Sequence, residues 1–148
     1  RKVALSLSDA FCVERHRAEF KHLISGHVDI LFANEAEITS LFEVGTFDEA
    51  VKLTAGHCEI AALTQGSKGC VIVEEGALHE VAAKPVDNVV DTTGAGDLFA
   101  AGFLYGLTRE FELPSCGAIG SLAAAEVISH YGARPETPLA DLLAASGL

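Results

Sequence analysis

Short apolar runs alternate with amphipathic stretches along the first half of the chain, and this alternation limits the fold more than any other feature. Residues 3–7, 28–33 and 58–63 are apolar runs of strand length bounded by polar or turn residues. Between them the apolar spacing becomes helical. From about Glu14 to Ser25, Phe20, Leu23 and Ile24 recur while Glu14, Arg15, Arg17, Glu19 and Lys21 fill the other faces. Ser8 and Asp9 offer acceptors before this helix, and Gly26 closes it. A second helix carries Ile38, Leu41 and Phe42. Gly45-Thr46 interrupts it before a third over residues 47–55, with Asp48 and Glu49 early and Lys52 late, as the helix dipole favours. Strand–helix alternation of this kind predicts an α/β domain of three α/β/α layers, with a mostly parallel sheet covered on both faces. Residues 70–73 and 78–82 alternate about Glu74-Glu75-Gly76 and predict an edge hairpin. Lys84-Pro85 opens a strand leading to Asp91, and the proline puts that strand at a sheet margin or entry. Helices follow over residues 98–107, from about Pro114 to Tyr131, and over residues 139–145, with a linker at 135–138. Ala100, Ala101 and Gly102 in the first, and Ala118, Gly120 and Ala123 in the second, let two helices approach closely.

The most chemically pointed stretch is Asp91-Thr92-Thr93-Gly94-Ala95-Gly96-Asp97, set between an apolar run and a helix. Two glycines flanking an alanine allow a tight turn that brings backbone N–H groups close to a ligand. The helix that follows adds about half a positive charge at its start, so the turn is a seat for phosphate. Asp97 does not fit a passive seat. A carboxylate in the first helical turn repels a bound phosphate unless a metal ion intervenes or the carboxylate has a proton to accept. A phosphoryl-transfer enzyme needs such a base, aimed at the attacking hydroxyl. Taken alone, Asp97 reads more readily as a helix N-terminal acid balancing the dipole, and it is the seven residues of the right kind in a row that turn the reading toward a base.

Two further turns stand where strands end. Asn34-Glu35-Ala36-Glu37 reads as a helix cap with Glu at the third position. In an open α/β sheet the same place lines the ligand crevice, where Asn34 and Glu37 could help hold hydrated Mg²⁺ beside phosphates. Glu35 fits neither role. Thr64-Gln65-Gly66-Ser67-Lys68-Gly69 links two strands and reads as a turn. It is not a Walker A loop, because Lys68 precedes Gly69 and no metal-binding hydroxyl follows.

With 148 residues, 49% of them hydrophobic, the chain is long enough for one well-filled domain. A formal charge of −11 disfavours nucleic acid and anionic membrane surfaces as partners. No apolar run has membrane-spanning length and no leader opens the sequence, so a soluble, cytoplasmic protein is expected. Cys12, Cys58, Cys70 and Cys116 form no C-x-x-C pair and are expected to be buried free thiols. The chain starts at Arg1 and contains no Met, which reads as a fragment or processed piece.

The seven residues from Asp91 to Asp97, followed by Leu-Phe-Ala-Ala-Gly-Phe, resemble the C-terminal signature of the ribokinase-like (PfkB-type) sugar and nucleoside kinases. The resemblance implies ATP-dependent phosphorylation of an alcohol on a sugar or nucleoside. Gly94, Ala95 and Gly96 would form the anion hole and Asp97 would be the base. Asn34 and Glu37 match that family's Asn-x-x-Glu metal and phosphate motif, and Asp91 is placed with them in the metal set. Similar turns in the family touch the nucleotide's ribose and phosphates, which assigns Thr64, Gly66, Lys68 and Gly69 to ATP, together with Thr93. Residues 130–134 would lie beside the adenine and, in many members, a monovalent cation such as K⁺. His130 is therefore a candidate for the nucleotide pocket, the alternative being a solvated residue at a helix end. The expected cofactors are ATP and Mg²⁺, with K⁺ left open, and the expected partners are ATP and a small acceptor, with a homodimer also open. The chain would be the C-terminal nucleotide-binding and catalytic portion, residues 1–148, without the N-terminal substrate and lid portion, and inactive alone. Residues 11–17 and 130–134 look similar to bacterial adenosine kinase-like members, which favours a nucleoside acceptor. Two other readings stand beside this one. A non-catalytic nucleotide- or dinucleotide-binding module is disfavoured by Phe99 where the Rossmann fingerprint has its third glycine. A kinase-derived interaction domain would bind nucleotide weakly and catalyse nothing.

Overall fold

The computed structural model describes all residues, 1–148. The chain forms two compact units, one of Arg1–Gln65 with Val71–His79 and the other of Gly66–Cys70 with Glu80–Leu148.

The first unit is built on strands. β1 (Ala4–Ser6), β2 (Ile30–Asn34) and β3 (Ile60–Thr64) are followed by β4 (Cys70–Glu74) and β5 (Ala77–Val81), and the five lie in one sheet in chain order. β1 pairs parallel with β2, and β2 with β3. Parallel neighbours need long crossovers, which helices supply. α1 (Ala10–Arg15) and α2 (Arg17–Ile24) join β1 to β2, and α3 (Glu35–Phe42) and α4 (Phe47–Thr54) join β2 to β3. Only two residues separate β4 from β5, and both Glu75 and Gly76 have positive φ, so this is the expected hairpin. Leu7, Leu31, Ala33, Ala61, Leu63 and Val73 form one buried cluster with Val13, Ile24, Ile38, Leu41, Phe47 and Val51 of the helices. The alternate strand positions Ile30, Phe32, Ile60, Ala62 and Ile72 are buried as well, so the apolar runs read as two-faced strands for a physical reason.

The single helix expected from about Glu14 to Ser25 is two helices. Asp9 caps α1 by accepting the Phe11 N–H at 2.6 Å, and the backbone of His16, at φ −124° and ψ 32°, leaves the helical region before α2 begins. The side chain of Arg17 then donates to the Ser40 carbonyl at 2.9 Å, tying α2 to α3. The strand expected to lead from Lys84-Pro85 to Asp91 does not form; no strand follows β5. Val90 and Asp91 instead donate their N–H groups to the Ile128 carbonyl, at 2.8 and 3.4 Å, so a helix end takes the place of a neighbouring strand.

The second unit is mainly helical, with α5 (Ala95–Leu107), α6 (Leu113–Val127) and α7 (Leu139–Ser146). The small residues expected between α5 and α6 are there for close approach. A β-carbon on Gly102 would lie 2.8 Å from the Ile119 carbonyl oxygen, and one on Gly120 would lie 2.8 Å from that of Phe99. α6 stops at Val127, earlier than expected, and residues 128–138 form an irregular segment before α7. No helix is long and apolar enough to cross a membrane.

Candidate functional site

In the first unit the polar residues collect at the C-terminal ends of the parallel strands. Asn34 ends β2, Thr64 ends β3, and the two are register partners. Asn34 also caps α3. Its Oδ1 accepts the Glu37 N–H at 2.9 Å, while Glu37 Oε2 accepts the Asn34 N–H at 2.9 Å and Glu37 Oε1 accepts from Asn34 Nδ2 at 2.7 Å. The capping box expected from sequence is therefore complete, with an added side-chain bond. Glu37 is only 6% exposed. Burial pushes its carboxyl above the usual range, the Asn34 N–H pulls it back in part, and the charge of Asp9 adds to the rise. Glu35, which fitted neither role in the sequence, accepts from Gln65 Nε2 at 2.9 Å and so ties the residue after β3 to the start of α3.

No group of three or more His, Cys, Asp or Glu side chains is arranged to enclose a metal ion. Asn34 and Glu37 offer oxygen atoms already engaged with each other. Such a donor set suits a hard cation that keeps its own water shell, as Mg²⁺ does.

Residues 66–70 belong to the second unit. Gly66–Lys68 make a turn of 3₁₀ helix, and Gly69 N–H donates to the Gly66 carbonyl at 3.1 Å. Gly69 sits at φ +104°, and a β-carbon there would collide with the Val81 carbonyl oxygen and lie 2.8 Å from the Ala83 nitrogen. Its glycine identity is thus required by backbone packing, whatever it does for a ligand. A β-carbon on Gly66 would meet nothing within 4 Å, and Lys68 is exposed with no ion pair, so both remain open to a ligand.

The glycine turn opens α5 as expected, but the helix begins at Ala95, so Gly96 and Asp97 lie within its first turn. Gly94 is the cap residue at φ +81° and ψ −1°, and no side chain caps the helix start. A β-carbon on Gly94 would stand 2.7 Å from the Ala133 Cβ, so this position excludes a side chain twice, by conformation and by space. The Ala95 N–H donates to the Thr92 carbonyl at 3.2 Å. The N–H groups of Gly96 and Asp97 have no partner in the chain, as first-turn amides do not unless something caps them. The space beside Gly96 is open. Asp97 is exposed, and its carboxylate makes no hydrogen bond or ion pair. Two free amides and an unengaged carboxylate in one helical turn can together receive an anion and accept a proton.

Asp91 organises this turn. Its Oδ1 accepts from the Thr93 N–H at 2.9 Å and the Thr93 hydroxyl at 2.7 Å, and its Oδ2 accepts the Gly132 N–H at 3.1 Å. Those bonds, the Thr93 hydroxyl first, hold the Asp91 carboxyl below its ordinary range. Assigned to metal in the sequence, Asp91 has both oxygens committed to the loop, and Thr93, assigned to nucleotide, has its hydroxyl turned to Asp91.

His130 is not a solvated helix end; its side chain is 14% exposed. Its Nε2 lies 3.3 Å from Glu126 Oε2, and its Nδ1 lies 3.3 Å from the Tyr131 carbonyl and 3.9 Å from Glu136 Oε1. Desolvation opposes its protonation, but the Tyr131 carbonyl and the two glutamates outweigh that and raise its pKa. Glu126 was missed in the sequence because it sits in a small-residue helix that reads as core. The only signal was one acid among alanines, four residues before a histidine.

A parallel α/β sheet with polar residues at its C-terminal strand ends, and a glycine turn that opens a helix with free amides, are the marks of phosphate-handling α/β proteins. The chain belongs to the pfkB family of carbohydrate kinases, whose description matches residues 3–140. Adenosine kinase from Sinorhizobium meliloti superposes with a TM-score of 0.96 at 46% identity, over 99% of this chain and 45% of that one. A probable sugar kinase from Rhizobium etli superposes with a TM-score of 0.97 at 47% identity, with the same coverage of both chains. An uncharacterized sugar kinase of Archaeoglobus fulgidus is 43% identical over 110 residues, 74% of this chain and 43% of its own length. The chain thus spans less than half the length of these relatives. The family resemblance read from residues 91–97 and the mostly parallel α/β fold are both borne out.

Proposed function

We propose that the protein to which this chain contributes transfers the terminal phosphoryl group of ATP to a hydroxyl of a nucleoside or sugar. The observation that carries this reading is Asp97, an exposed carboxylate with no partner, one residue beyond the free Gly96 amide and at the start of a helix. The free amides of Gly96 and Asp97 stabilise negative charge on the transferring group, in a geometry set by the Gly94 turn. Asp97 takes the proton of the acceptor hydroxyl, which raises the nucleophilicity of that oxygen as its bond to the terminal phosphorus forms and the bond from that phosphorus to the bridging oxygen of ATP breaks, releasing ADP. Thr64 and Gly66 contact the nucleotide, and Lys68 adds a positive charge there. Asn34 and Glu37 would help hold hydrated Mg²⁺, which when bound would offset phosphate charge. Residues 130–134 would lie beside the nucleotide base, and their backbone carbonyls are oxygen donors a K⁺ ion would use.

A nucleoside is the acceptor this reading favours, because residues 11–17 and 130–134 look similar to adenosine kinase-like members and the S. meliloti protein that superposes over 99% of this chain is an adenosine kinase; the probable sugar kinase of R. etli that superposes equally well keeps sugars in the test. The test is a phosphorylation screen of nucleosides, ribose and hexoses with the complete protein and Mg·ATP. Transfer to a nucleoside at the highest kcat/KM supports the reading. Faster transfer to a hexose would replace the acceptor, and no transfer to any alcohol would remove the function.

A further inference from the structure

The carboxylate of Glu126 is a second organising centre, distinct from the turn that would carry out the chemistry. It projects from the last turn of α6 with its side chain only 8% exposed. Glu126 Oε1 accepts the backbone N–H groups of Glu136 at 2.9 Å and Thr137 at 2.7 Å, and Oε2 faces His130 Nε2 at 3.3 Å. One buried carboxylate thereby gathers both ends of residues 130–137. The middle of that segment supports the glycine turn. The Gly132 N–H reaches Asp91 at 3.1 Å, and Ala133 packs where a Gly94 side chain would stand.

We infer that Glu126 is a positioning residue: by pinning residues 130–137 at both ends, it holds Ala133 and Gly132 against the Gly94 turn and so fixes the free amides of Gly96 and Asp97. The chain of contacts is continuous and lies within one compact unit. A carboxylate is suited to this place. Two backbone donors gathered at a helix end need a strong acceptor, and charge-assisted bonds to N–H groups are the strong kind. The neighbouring His130 Nε2, 3.3 Å from Oε2, and the two backbone donors on Oε1 leave neither oxygen of the buried carboxylate without a partner. An irregular segment of this length, with no ladder of its own, would otherwise open locally at little cost.

This inference rests on the kinase reading for its catalytic half only, so the experiment carries two readouts. Glu126→Ala and Glu126→Gln are made in the complete protein, where alanine keeps the helix and glutamine keeps a carbonyl acceptor without the charge. Amide hydrogen exchange is followed at Gly132, Glu136 and Thr137, and kcat is measured with the ATP-binding stoichiometry, which counts folded sites. Glu126→Ala is expected to speed exchange at those three amides by about tenfold or more. It should also lower kcat by about tenfold with stoichiometry unchanged, a split that simple loss of folded protein does not produce. Glu126→Gln should fall between the two in both readouts. Wild-type protection in Glu126→Ala overturns the clamp, and faster exchange with wild-type kcat overturns its positioning role. If the wild type transfers no phosphoryl group, the kinase reading fails, and exchange alone decides the clamp.

Discussion

Replacing Gly94 and Gly96 separately by alanine tests the turn most finely, because the two glycines are required for different reasons. Gly94 holds φ at +81°, where an L-residue costs about 1–2 kcal/mol. Its new methyl would also stand 2.7 Å from the Ala133 Cβ, and such overpacking costs typically about 1–3 kcal/mol. The sum is about 2–5 kcal/mol, which lowers the melting temperature of a domain of this class by about 4 °C or more. Gly96 has helical φ, and a methyl added there would meet nothing within 4 Å, so alanine should leave stability unchanged or raise it by up to about 1 kcal/mol. Turnover should fall about tenfold or more in both, in Gly94→Ala because the turn moves and in Gly96→Ala because a methyl occupies the space the anion needs. Adding Ala133→Gly to Gly94→Ala removes the methyl–methyl contact and leaves the backbone cost. A double-mutant cycle should therefore return part of the lost stability and no more. Thermal unfolding and steady-state kinetics of the complete protein read both effects. A Gly94→Ala variant that melts with the wild type would refute the reasoning, as would a Gly96→Ala variant with undiminished kcat.

Three further outcomes follow from the local geometry. Gly69→Ala should destabilise by several kcal/mol, since φ +104° and the Val81 carbonyl both exclude a side chain; a melting temperature within a degree of wild type contradicts this. Because the folded Glu37 carboxyl titrates above its unfolded value, the proton it binds favours the folded state. That contribution is fully present below the ordinary carboxylate range and is lost as pH rises through the raised value; Glu37→Gln should flatten this part of the stability–pH curve, and an unchanged curve would exclude Glu37 as its source. Burial pushes the Cys58 and Cys70 thiols up to about 11, which leaves roughly one thiolate in a thousand at pH 8. Iodoacetamide should label both slowly until the chain unfolds, and rapid labelling of native protein would contradict the burial of Cys70 and the half-burial of Cys58.

The parts of the fold legible in the sequence were those where one local signal met no competitor. The runs at residues 28–33 and 58–63 are apolar on both faces and are bounded by polar residues, and they form strands within two residues of the expected limits. Residues 86–90 carry three valines, yet no strand forms, because the Ile128 carbonyl takes the N–H groups a neighbouring strand would need. A partner 38 residues away leaves no mark on local periodicity. His16 likewise divides α1 from α2 through a backbone conformation that no residue preference announces. The Gly94 turn with Asp97 in the second unit, and the Asn34–Glu37 box in the first, could be read because each local geometry is written in consecutive residues. Glu126 could not, since its donors lie in an irregular segment 10 and 11 residues further on.

The base assignment bears most directly on the whole account, and Asp97→Asn in the complete protein isolates it. The substitution keeps the size and exposed position of the side chain and removes its capacity to take a proton. Calorimetric titration with ATP and single-turnover phosphotransfer should be run on the same preparation. The account predicts that ATP still binds, with affinity unchanged or tighter because a carboxylate that repels phosphate is gone, and that phosphotransfer slows by about 10²–10⁴-fold. Phosphotransfer at the wild-type rate would contradict it, and loss of ATP binding would show that Asp97 holds the nucleotide instead of receiving the proton.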